Sequence, residues 1–371
     1  MPLLPRRLVF SALLLISLIV TATMLRLALE WRQALADIDS MIVTPAAIAF
    51  PDTPVNPLES QASPRDAGAG DTGRLASGPA QTNLPGSAVS TEAADNALQL
   101  SQETLNILLL GADARPGDTT PPRTDALVLV RIERDSGRVS MLSIPRDLWV
   151  TYPTGGEGRI NAAYARGEAR FGPGGGASLV KATVSRLLDV RVDNFVLINF
   201  QGFETLIDQL GGITVDVPEA IYDPAYPTED YRTIEVRFRP GRQVFDGKRA
   251  LIYARTRHAD SDFGRNQRQQ LVLMAIFERI RERGLLQQLT SLDDYTRALR
   301  GYVTTDLSRS QMLEIASFAR NVDSDNVLRY AIDSRTVVDL REPATFAAEP
   351  VALRRLVGQF TGQAVSTAGG R

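Results

Sequence analysis

The residues from Arg255 to Gln270, RTRHADSDFGRNQRQQ, have the types and the spacing to bind a strongly negative group. Four arginines surround acidic residues here and lead directly into the apolar sequence LVLMAIFERI, which predicts a helix. Arginine in the first turn of a helix opposes the helix dipole. The free N–H groups of that turn already attract anions, so added guanidinium groups favour a bound phosphate or pyrophosphate.

Three side chains of this segment share one face of the predicted helix, because they lie three and four residues apart. They are Arg265, Arg268 and Gln269, and Asp262 is positioned to cap the helix or to face the same ligand. If the arginines bind pyrophosphate, we expect them to be unpaired by carboxylates in the free protein. We also expect them to be exposed and to converge with Arg146, Arg255 and Arg257 on one pocket.

The alternative is a solvated helix start that is held by salt bridges. Lys181 and Lys248 are the only lysines among 41 basic residues, so arginine richness by itself indicates little. His258 lies beside the arginines and could contact a ligand, although a histidine of a surface loop is the alternative.

The composition excludes several classes of function. The 371-residue chain has 43 acidic and 41 basic residues, which argues against binding nucleic acid through bulk charge. The chain has no cysteine and a single histidine, so thiolate chemistry and histidine-rich metal sites are excluded. Any metal must be held mainly by oxygen, which favours Mg²⁺ or Mn²⁺.

The N-terminal residues predict a membrane anchor. Leu8 to Leu25 is uncharged and apolar and follows Arg6 and Arg7. As a helix it would extend roughly 27 Å, close to the thickness of a bilayer core. We therefore predict a single transmembrane signal anchor within residues 1–30, with a cytoplasmic N-terminus and an extracytoplasmic body. The alternative is a signal peptide that is cleaved.

The remaining chain divides into three predicted regions. Residues 31–100 are predicted to be a flexible extracytoplasmic tether, since Ala46 to Asn96 is rich in Pro, Gly, Ala and Ser. Residues 101–340 alternate short apolar runs with amphipathic segments, which indicates a layered α/β domain. Residues 341–371 are assigned as a C-terminal tail.

Charged residues follow or precede the first three predicted strands. These strands comprise NILLLGAD, DALVLVRIE and RVSMLSIPRD, and the charged residues are Asp113, Arg115, Arg123, Asp125, Arg146 and Asp147. In an open α/β sheet, ligands bind at strand ends along one edge. Two aspartates facing each other there repel unless a cation or arginines neutralise them.

Six ordered motifs closely resemble the LytR-CpsA-Psr family, over about residues 105–280 and more loosely to 333. The motifs are LLLGADARPG with RTDALVLV, SIPRDLWV, RINAAYARG, FQGFETLIDQLGGITVDV, FDGKRALIYARTR and DFGRNQRQQ. The resemblance implies a layered α-β-α sandwich around a central mixed β-sheet, with an N-terminal transmembrane helix. It also implies a cell-membrane protein with one membrane-spanning helix and an extracytoplasmic catalytic domain.

The resemblance further implies a phosphotransferase that moves a glycan polymer from a polyprenyl-pyrophosphate carrier to a hydroxyl of peptidoglycan. Asp113 and Asp125 would then coordinate Mg²⁺, or Mn²⁺. The predicted catalytic residues are Arg146, Arg255, Arg257, Asp262 and Arg265, and the predicted substrate-binding residues are Arg115, Arg123, Arg268 and Gln269.

Two questions stay open at this stage. The acceptor proton could pass to Asp262 or to Asp147, or leave late in a loose transition state. The alternatives to transfer are a pyrophosphatase, in which water is the acceptor, and a non-catalytic scaffold that binds polyprenyl phosphate.

Overall fold

A computed structural model describes residues 26, 30, 32–48, 104–114, 118, 120–228, 232–257, 262–282, 292–340 and 345–363. Its strands are β1 Thr104–Ala112, β2 Thr124–Glu133, β3 Arg138–Ser143, β4 Leu148–Thr151, β5 Glu157–Arg159, β6 Asn194–Asn199, β7 Ile213–Val217, β8 Ile221–Pro227, β9 Thr233–Phe238, β10 Gly241–Phe245, β11 Val303–Thr305, β12 Val327–Ala331, β13 Val337–Leu340 and β14 Thr345–Ala348. Its helices are α1 at residues 32–41, α2 Ala163–Phe171, α3 Gly175–Leu188, α4 Phe200–Gln209, α5 Gly247–Arg255, α6 Asp262–Glu282, α7 Leu292–Leu299, α8 Arg309–Asn321 and α9 Pro350–Thr361.

A six-stranded mixed sheet, in the order β11-β6-β1-β2-β3-β12, forms the centre of the domain. β1, β2 and β3 are antiparallel neighbours, whereas β6 and β12 add in parallel to β1 and β3. The three runs of apolar residues predicted as strands are therefore adjacent in this sheet. Both the mixed α/β class and the central mixed sheet are confirmed.

Helices cover both faces of the central sheet. Apolar side chains of β1 contact both layers, because successive side chains of a strand point to opposite faces. Leu108 and Leu110 belong to one buried cluster with residues of α3 and α9. Leu105 and Ile107 face the other side, where they pack with Leu307 and residues of α8.

A second apolar cluster joins α4, α5 and α6 to the antiparallel pair β7–β10 and the hairpin β8–β9. Phe238, Phe245 and Tyr253 form its aromatic centre, with ring centroids 5.0 to 5.4 Å apart. This cluster fixes the C-terminal end of α5 and the first turns of α6, which carry the arginine-rich segment.

Residues 32–48 pack on the domain, although they fall within the predicted tether. Ile42 forms a β-bridge with Thr305, and Val43 donates a 2.8 Å backbone hydrogen bond to the same residue. Arg300 forms an ion pair with Asp37, and Arg309 forms one with Asp39. These contacts hold the segment against β11 and α8, so the tether prediction began too early in the chain.

The last described residues also join the domain. β14 pairs in parallel with β4, and β13 pairs with β14, which gives a second sheet in the order β13-β14-β4-β5. Helix α9 places Leu353 and Phe360 in the main core, where Phe360 is fully buried. Residues 345–361 thus form a strand and a helix within the region assigned as a tail.

Among the residues that the structure describes, no helix is both long and apolar enough to cross a bilayer. The predicted anchor, Leu8 to Leu25, lies outside the described residues, as do residues 49–103 of the predicted tether.

Candidate active site

Charged side chains from four parts of the chain line one cavity of about 610 Å³ at the edge of the central sheet. Its lining consists of Asp125, Ala126, Arg146, Phe200, Asp223, Tyr226, Pro227, Arg255, Arg257, Asp262, Arg265 and Gln269. A volume of this size is within the range of small-molecule sites.

The central sheet supplies the first ion pair of the cavity. Asp125 is the second residue of β2, and Arg146 follows the end of the neighbouring strand β3. Arg146 Nη1 donates a 2.6 Å hydrogen bond to Asp125 Oδ1. Partial burial opposes the charge of Arg146, yet this pair and the nearby carboxylates raise the pKa of its guanidinium. Arg146 therefore stays protonated at the cavity wall.

Helix α5 supplies Arg255 at its C-terminus. The guanidinium carbon lies 4.1 Å from the ring centroid of Phe200 and 5.9 Å from that of Tyr226. Cation–π contacts of this kind orient a guanidinium without removing its positive charge. The nearest carboxylate contact is weak, since Arg255 Nη2 lies 4.0 Å from Asp113 Oδ2.

A buried carboxylate fixes the turn between Arg255 and Arg257. Asp223 is fully buried and accepts hydrogen bonds from the Thr256 hydroxyl and from the backbone N–H of Ala225. Thr256 is also fully buried. Asp223 thus anchors the residue between the two arginines and determines how they enter the cavity.

The first turn of α6 holds a buried arginine beside a shared carboxylate. Asp262 Oδ1 lies 2.6 Å from Arg257 Nη2 and 3.4 Å from Arg265 Nη1. The Arg265 side chain is only 4% exposed. Its Nε and Nη2 atoms have no hydrogen-bond partner among the described residues.

The charge of Arg265 is destabilised by its surroundings. Burial lowers the pKa of its guanidinium to about 10, with Asp262 opposing this shift and the positive charges of Arg146 and Arg257 adding to it. Buried donors without partners cost free energy. An anion that accepts from Nε and Nη2 would relieve both the lost hydrogen bonds and the repulsion.

Asp147 and Asp262 form a hydrogen-bonded carboxyl pair beside these arginines. Burial and the hydrogen bond to Asp262 raise the pKa of Asp147, against the effect of Arg146 and Arg159. Burial also disfavours the charge of Asp262, but the hydrogen bond from Asp147 and the charges of Arg265 and Arg257 hold its pKa below the ordinary value. Of the two carboxyl groups, Asp262 is therefore the one whose ionised form is favoured.

The structure brings Arg146, Arg255, Arg257 and Arg265 to one cavity, as the sequence predicts. The expectation that they would be unpaired is wrong for three of them, because Asp125 and Asp262 lie within ion-pair distance. Four clustered guanidinium groups repel, and nearby carboxylates reduce that repulsion in the ligand-free protein. The expected exposure of Arg265 is also wrong, since the neighbouring layers bury the first turns of α6.

Arg268 and Gln269, which were predicted to share a helix face with Arg265, have different environments. Arg268 is buried and donates to the backbone carbonyls of Tyr253 and Thr256. It does not line the cavity, and these contacts support a positioning role at the end of α5. Gln269 lines the cavity, and its amide donates a 3.4 Å hydrogen bond to the Ala254 carbonyl.

Two of the predicted residues, Asp113 and Arg123, are placed less centrally. Asp113 follows β1, and its side chain is 48% exposed. Arg123 precedes β2, is exposed and does not line the cavity. Arg115 and His258 lie outside the described residues.

Sequence reasoning missed several lining residues, namely Phe200, Asp223, Tyr226 and Pro227. Phe200 begins the motif FQGFETL, and the other three lie in β8, within the sequence IYDPAYP. An acidic residue next to proline and aromatic residues was the available signal. Nothing local in that sequence indicated that β8 would lie beside α5.

The residues present fit a small hard cation that is shared with a phosphate ligand. No cluster of three or more acidic or histidine side chains occurs in the described part of the chain, so a metal cage made only of protein side chains is not found there. Asp113 follows the end of β1 and Asp125 lies on the neighbouring strand β2, one on each side of the register pair of Ala112 and Thr124. Two carboxylates with phosphate oxygens form a donor set that suits Mg²⁺.

The LytR_cpsA_psr family matches residues 78–343, more than half of the chain. The teichoic acid transferase TagT of Bacillus subtilis is 34% identical over 228 residues, which cover 60% of this chain and 66% of TagT. TagU of Oceanobacillus iheyensis is 33% identical over 219 residues, 58% of this chain and 63% of TagU. The matches thus span just under two thirds of these relatives.

Solved structures agree with this assignment. The crystal structure of B. subtilis TagV has a TM-score of 0.56 at 26% identity and covers 71% of this chain and 99% of TagV. The structure of TagT bound to LI-WTA has a TM-score of 0.53 at 27% identity and covers 70% of this chain and 90% of TagT. With its arginine-lined cavity at the edge of a mixed sheet, the chain belongs to the LytR_cpsA_psr family.

Proposed function

We propose that this protein is a phosphotransferase that attaches a glycopolymer to peptidoglycan. The donor is the polymer linked to a polyprenyl pyrophosphate, the acceptor is a peptidoglycan hydroxyl, and polyprenyl phosphate is released. Both relatives named above are called polyisoprenyl-teichoic acid–peptidoglycan teichoic acid transferases, which supports a polymer transfer of this type.

Arg265 is the single observation that carries the proposal. Its side chain is 4% exposed, lines the cavity, and has two N–H groups without a partner among the described residues. A structural arginine would direct those groups to carbonyls, as Arg268 does. A pyrophosphate offers several charged oxygens, which are strong acceptors for guanidinium groups.

The arginines act on the charge that develops during transfer. When the acceptor oxygen forms a bond to the phosphorus nearer the glycan, the bridging P–O bond breaks, and its electron pair leaves with polyprenyl phosphate. Phosphoryl transfer depends mainly on positioning and on compensation of negative charge. Arg146, Arg257 and Arg265 supply this charge from the cavity wall, and Arg255 is oriented by the rings of Phe200 and Tyr226.

Asp113 and Asp125 would hold Mg²⁺ or Mn²⁺. When bound, the ion would supply positive charge to the pyrophosphate oxygens. Asp125 would then give up part of its interaction with Arg146, now 2.6 Å away, and the guanidinium would turn its donors toward the substrate.

Asp262 is favoured over Asp147 as the acceptor of the hydroxyl proton. The pKa of Asp262 is lowered and that of Asp147 is raised, so the ionised form is favoured at Asp262. A carboxylate with a low pKa is a weak base. It suits a reaction in which the hydroxyl proton departs late, as in a loose transition state.

The cellular setting is part of the same proposal. A single transmembrane helix within residues 1–30 would hold the catalytic domain outside the cytoplasmic membrane, where lipid-linked polymer and peptidoglycan meet. Protease added outside intact cells should then remove the domain and spare the first ~30 residues. A mature N-terminus near Ala28 would instead identify a cleaved signal peptide.

A reconstitution experiment tests the function. The full chain in detergent, with Mg²⁺ and a polyprenyl-pyrophosphate-linked glycan, is incubated with and without peptidoglycan oligomers in ¹⁸O-labelled water. Transfer predicts a glycan–peptidoglycan phosphodiester without ¹⁸O and one polyprenyl phosphate for each product. Release of ¹⁸O-labelled glycan phosphate at an equal rate in both samples would identify a pyrophosphatase. Lipid binding without turnover would identify a scaffold.

A further inference from the structure

A second cavity, of about 370 Å³, lies next to the carboxyl pair. It is lined by Asp147, Arg159, Asp339, Leu340, Thr345 and Phe346. Asp147 thus faces this cavity, and its hydrogen-bond partner Asp262 lines the first one. The two carboxyl groups connect the two cavities.

The C-terminal hairpin builds one wall of the second cavity. Phe346 of β14 is in register with Leu148 of β4, and the Thr345 hydroxyl donates to the backbone carbonyl of Asp147. The ring of Phe346 also packs on Phe263 of α6, with centroids 5.6 Å apart. β14 is therefore fixed both to the segment after Arg146 and to the first turn of α6.

This wall lies at the limit of the family match. The match ends at residue 343, and Thr345 and Phe346 follow it. Asp147 and Arg159 lie inside the matched region, so the cavity combines residues within the match with residues that follow it.

The lining favours an uncharged, hydroxyl-rich ligand over a second phosphate. The cavity has two carboxylates and one guanidinium, and Arg159 is already 3.3 Å from Asp147. A phosphate would face net negative charge. A sugar instead uses carboxylates, guanidinium and hydroxyl groups as hydrogen-bond partners, and its C–H face packs on an aromatic ring such as Phe346.

We propose that the second cavity is the subsite for the acceptor saccharide of peptidoglycan. This inference rests on the proposed transferase function. A sugar held there lies beside the Asp147–Asp262 pair, while the pyrophosphate is held by the arginines of the first cavity. The sugar oxygen forms the new P–O bond, its proton passes to Asp262, and the electron pair of the broken bridging bond leaves with polyprenyl phosphate.

Substitutions in the β13–β14 hairpin test the subsite. Phe346→Ala removes the ring, and Asp339→Asn removes a charge from an exposed side chain whose loss leaves the fold intact. Val338→Ala, also exposed and on the same strand but not lining the cavity, is the matched control. The full-length variants are compared for KM toward a peptidoglycan tetrasaccharide, for KM toward the lipid-linked donor, and for tetrasaccharide binding by calorimetry.

We expect Phe346→Ala and Asp339→Asn to raise the acceptor KM and the tetrasaccharide Kd by about tenfold, with the donor KM unchanged and Val338→Ala like the parent. Unchanged acceptor KM and Kd in both variants would overturn the subsite while transfer by the parent protein still supports the function. If the parent binds the tetrasaccharide in a Phe346-dependent way but transfers nothing, the proposed function fails and the saccharide site stands. Equal changes in donor and acceptor KM would also overturn the inference.

Discussion

Asp147 and Asp262, two carboxyl groups from separate elements, interact where two cavities meet, and this interaction raises the pKa of Asp147 and lowers that of Asp262. Asp147 precedes β4, and Asp262 begins α6. Carboxyl groups this close do not both ionise at neutral pH unless positive charge compensates. Here Arg265 and Arg257 stabilise the charge of Asp262, while Arg146 and Arg159 only oppose the rise in the pKa of Asp147.

The pair predicts different results for two similar substitutions. An asparagine at position 147 keeps a donor toward Asp262, so Asp147→Asn should retain transfer within about threefold of the parent. Asp262→Asn removes the proton acceptor and the counter-charge of two arginines, and should lower kcat by about 10² to 10⁴. Steady-state transfer rates check both, and a greater loss in Asp147→Asn would contradict this arrangement.

The raised pKa of Asp147 predicts how stability depends on pH. A raised pKa means that its contribution to stability is fully present below its unfolded pKa of about 3.9 and is lost as pH rises through the folded value. Asp147→Asn cannot ionise, so its free energy of unfolding should increase relative to the parent as the pH rises from 4 to 8. Urea unfolding at intervals of pH measures this difference. A constant or falling difference would contradict the assignment.

Arginine-to-lysine variants should separate activity from stability. An ammonium group cannot reproduce bidentate guanidinium contacts, so Arg257→Lys and Arg265→Lys should each lose about 10²-fold or more in transfer rate. The Arg257 side chain is 43% exposed, so Arg257→Lys should lower the free energy of unfolding by less than ~1 kcal/mol. The Arg265 side chain is buried, so Arg265→Lys should lower the free energy of unfolding by about 1–3 kcal/mol. Arg335→Lys, at an 86% exposed side chain, is the control and should change neither quantity.

Pyrophosphate should stabilise the free protein through Arg265. Ligand present at 100 times its Kd adds about 2.7 kcal/mol to the free energy of unfolding. Inorganic pyrophosphate should therefore raise Tm in the parent, and the rise should be largely lost in Arg265→Lys. Thermal denaturation with matched sulfate and chloride controls measures the effect. An equal rise in both proteins would show that the anion binds elsewhere.

Asp113 offers the sharper test of the metal site. Asp125→Asn removes a metal ligand and also the partner of Arg146, whereas Asp113 has only a 4.0 Å contact with Arg255. Asp113→Asn should therefore abolish the dependence of pyrophosphate binding on Mg²⁺ while leaving Tm in the absence of ligand unchanged. Calorimetric titration with and without EDTA checks this, with exposed Asp118→Asn as the control. Retained Mg²⁺ dependence in Asp113→Asn would sink the metal assignment.

Local patterns in the sequence were sufficient for the central strands and for the helix that carries the arginines. Continuous apolar runs predicted β1, β2 and the start of β3. Helical spacing also placed Arg265, Arg268 and Gln269 on one side of α6. These features depend on residues a few positions apart, so the sequence by itself determined them.

The tertiary structure decided what each of those side chains does. Arg265 and Arg268 share a helix face, yet Arg265 lines the cavity and Arg268 donates to a backbone carbonyl of α5. The pairing of Asp147 with Asp262 and the wall formed by Phe346 depend on which strand lies beside β4. Such contacts join residues far apart in the chain, and no local periodicity encodes them. Burial then sets their charges, because a pKa depends on neighbours that only the packed fold supplies.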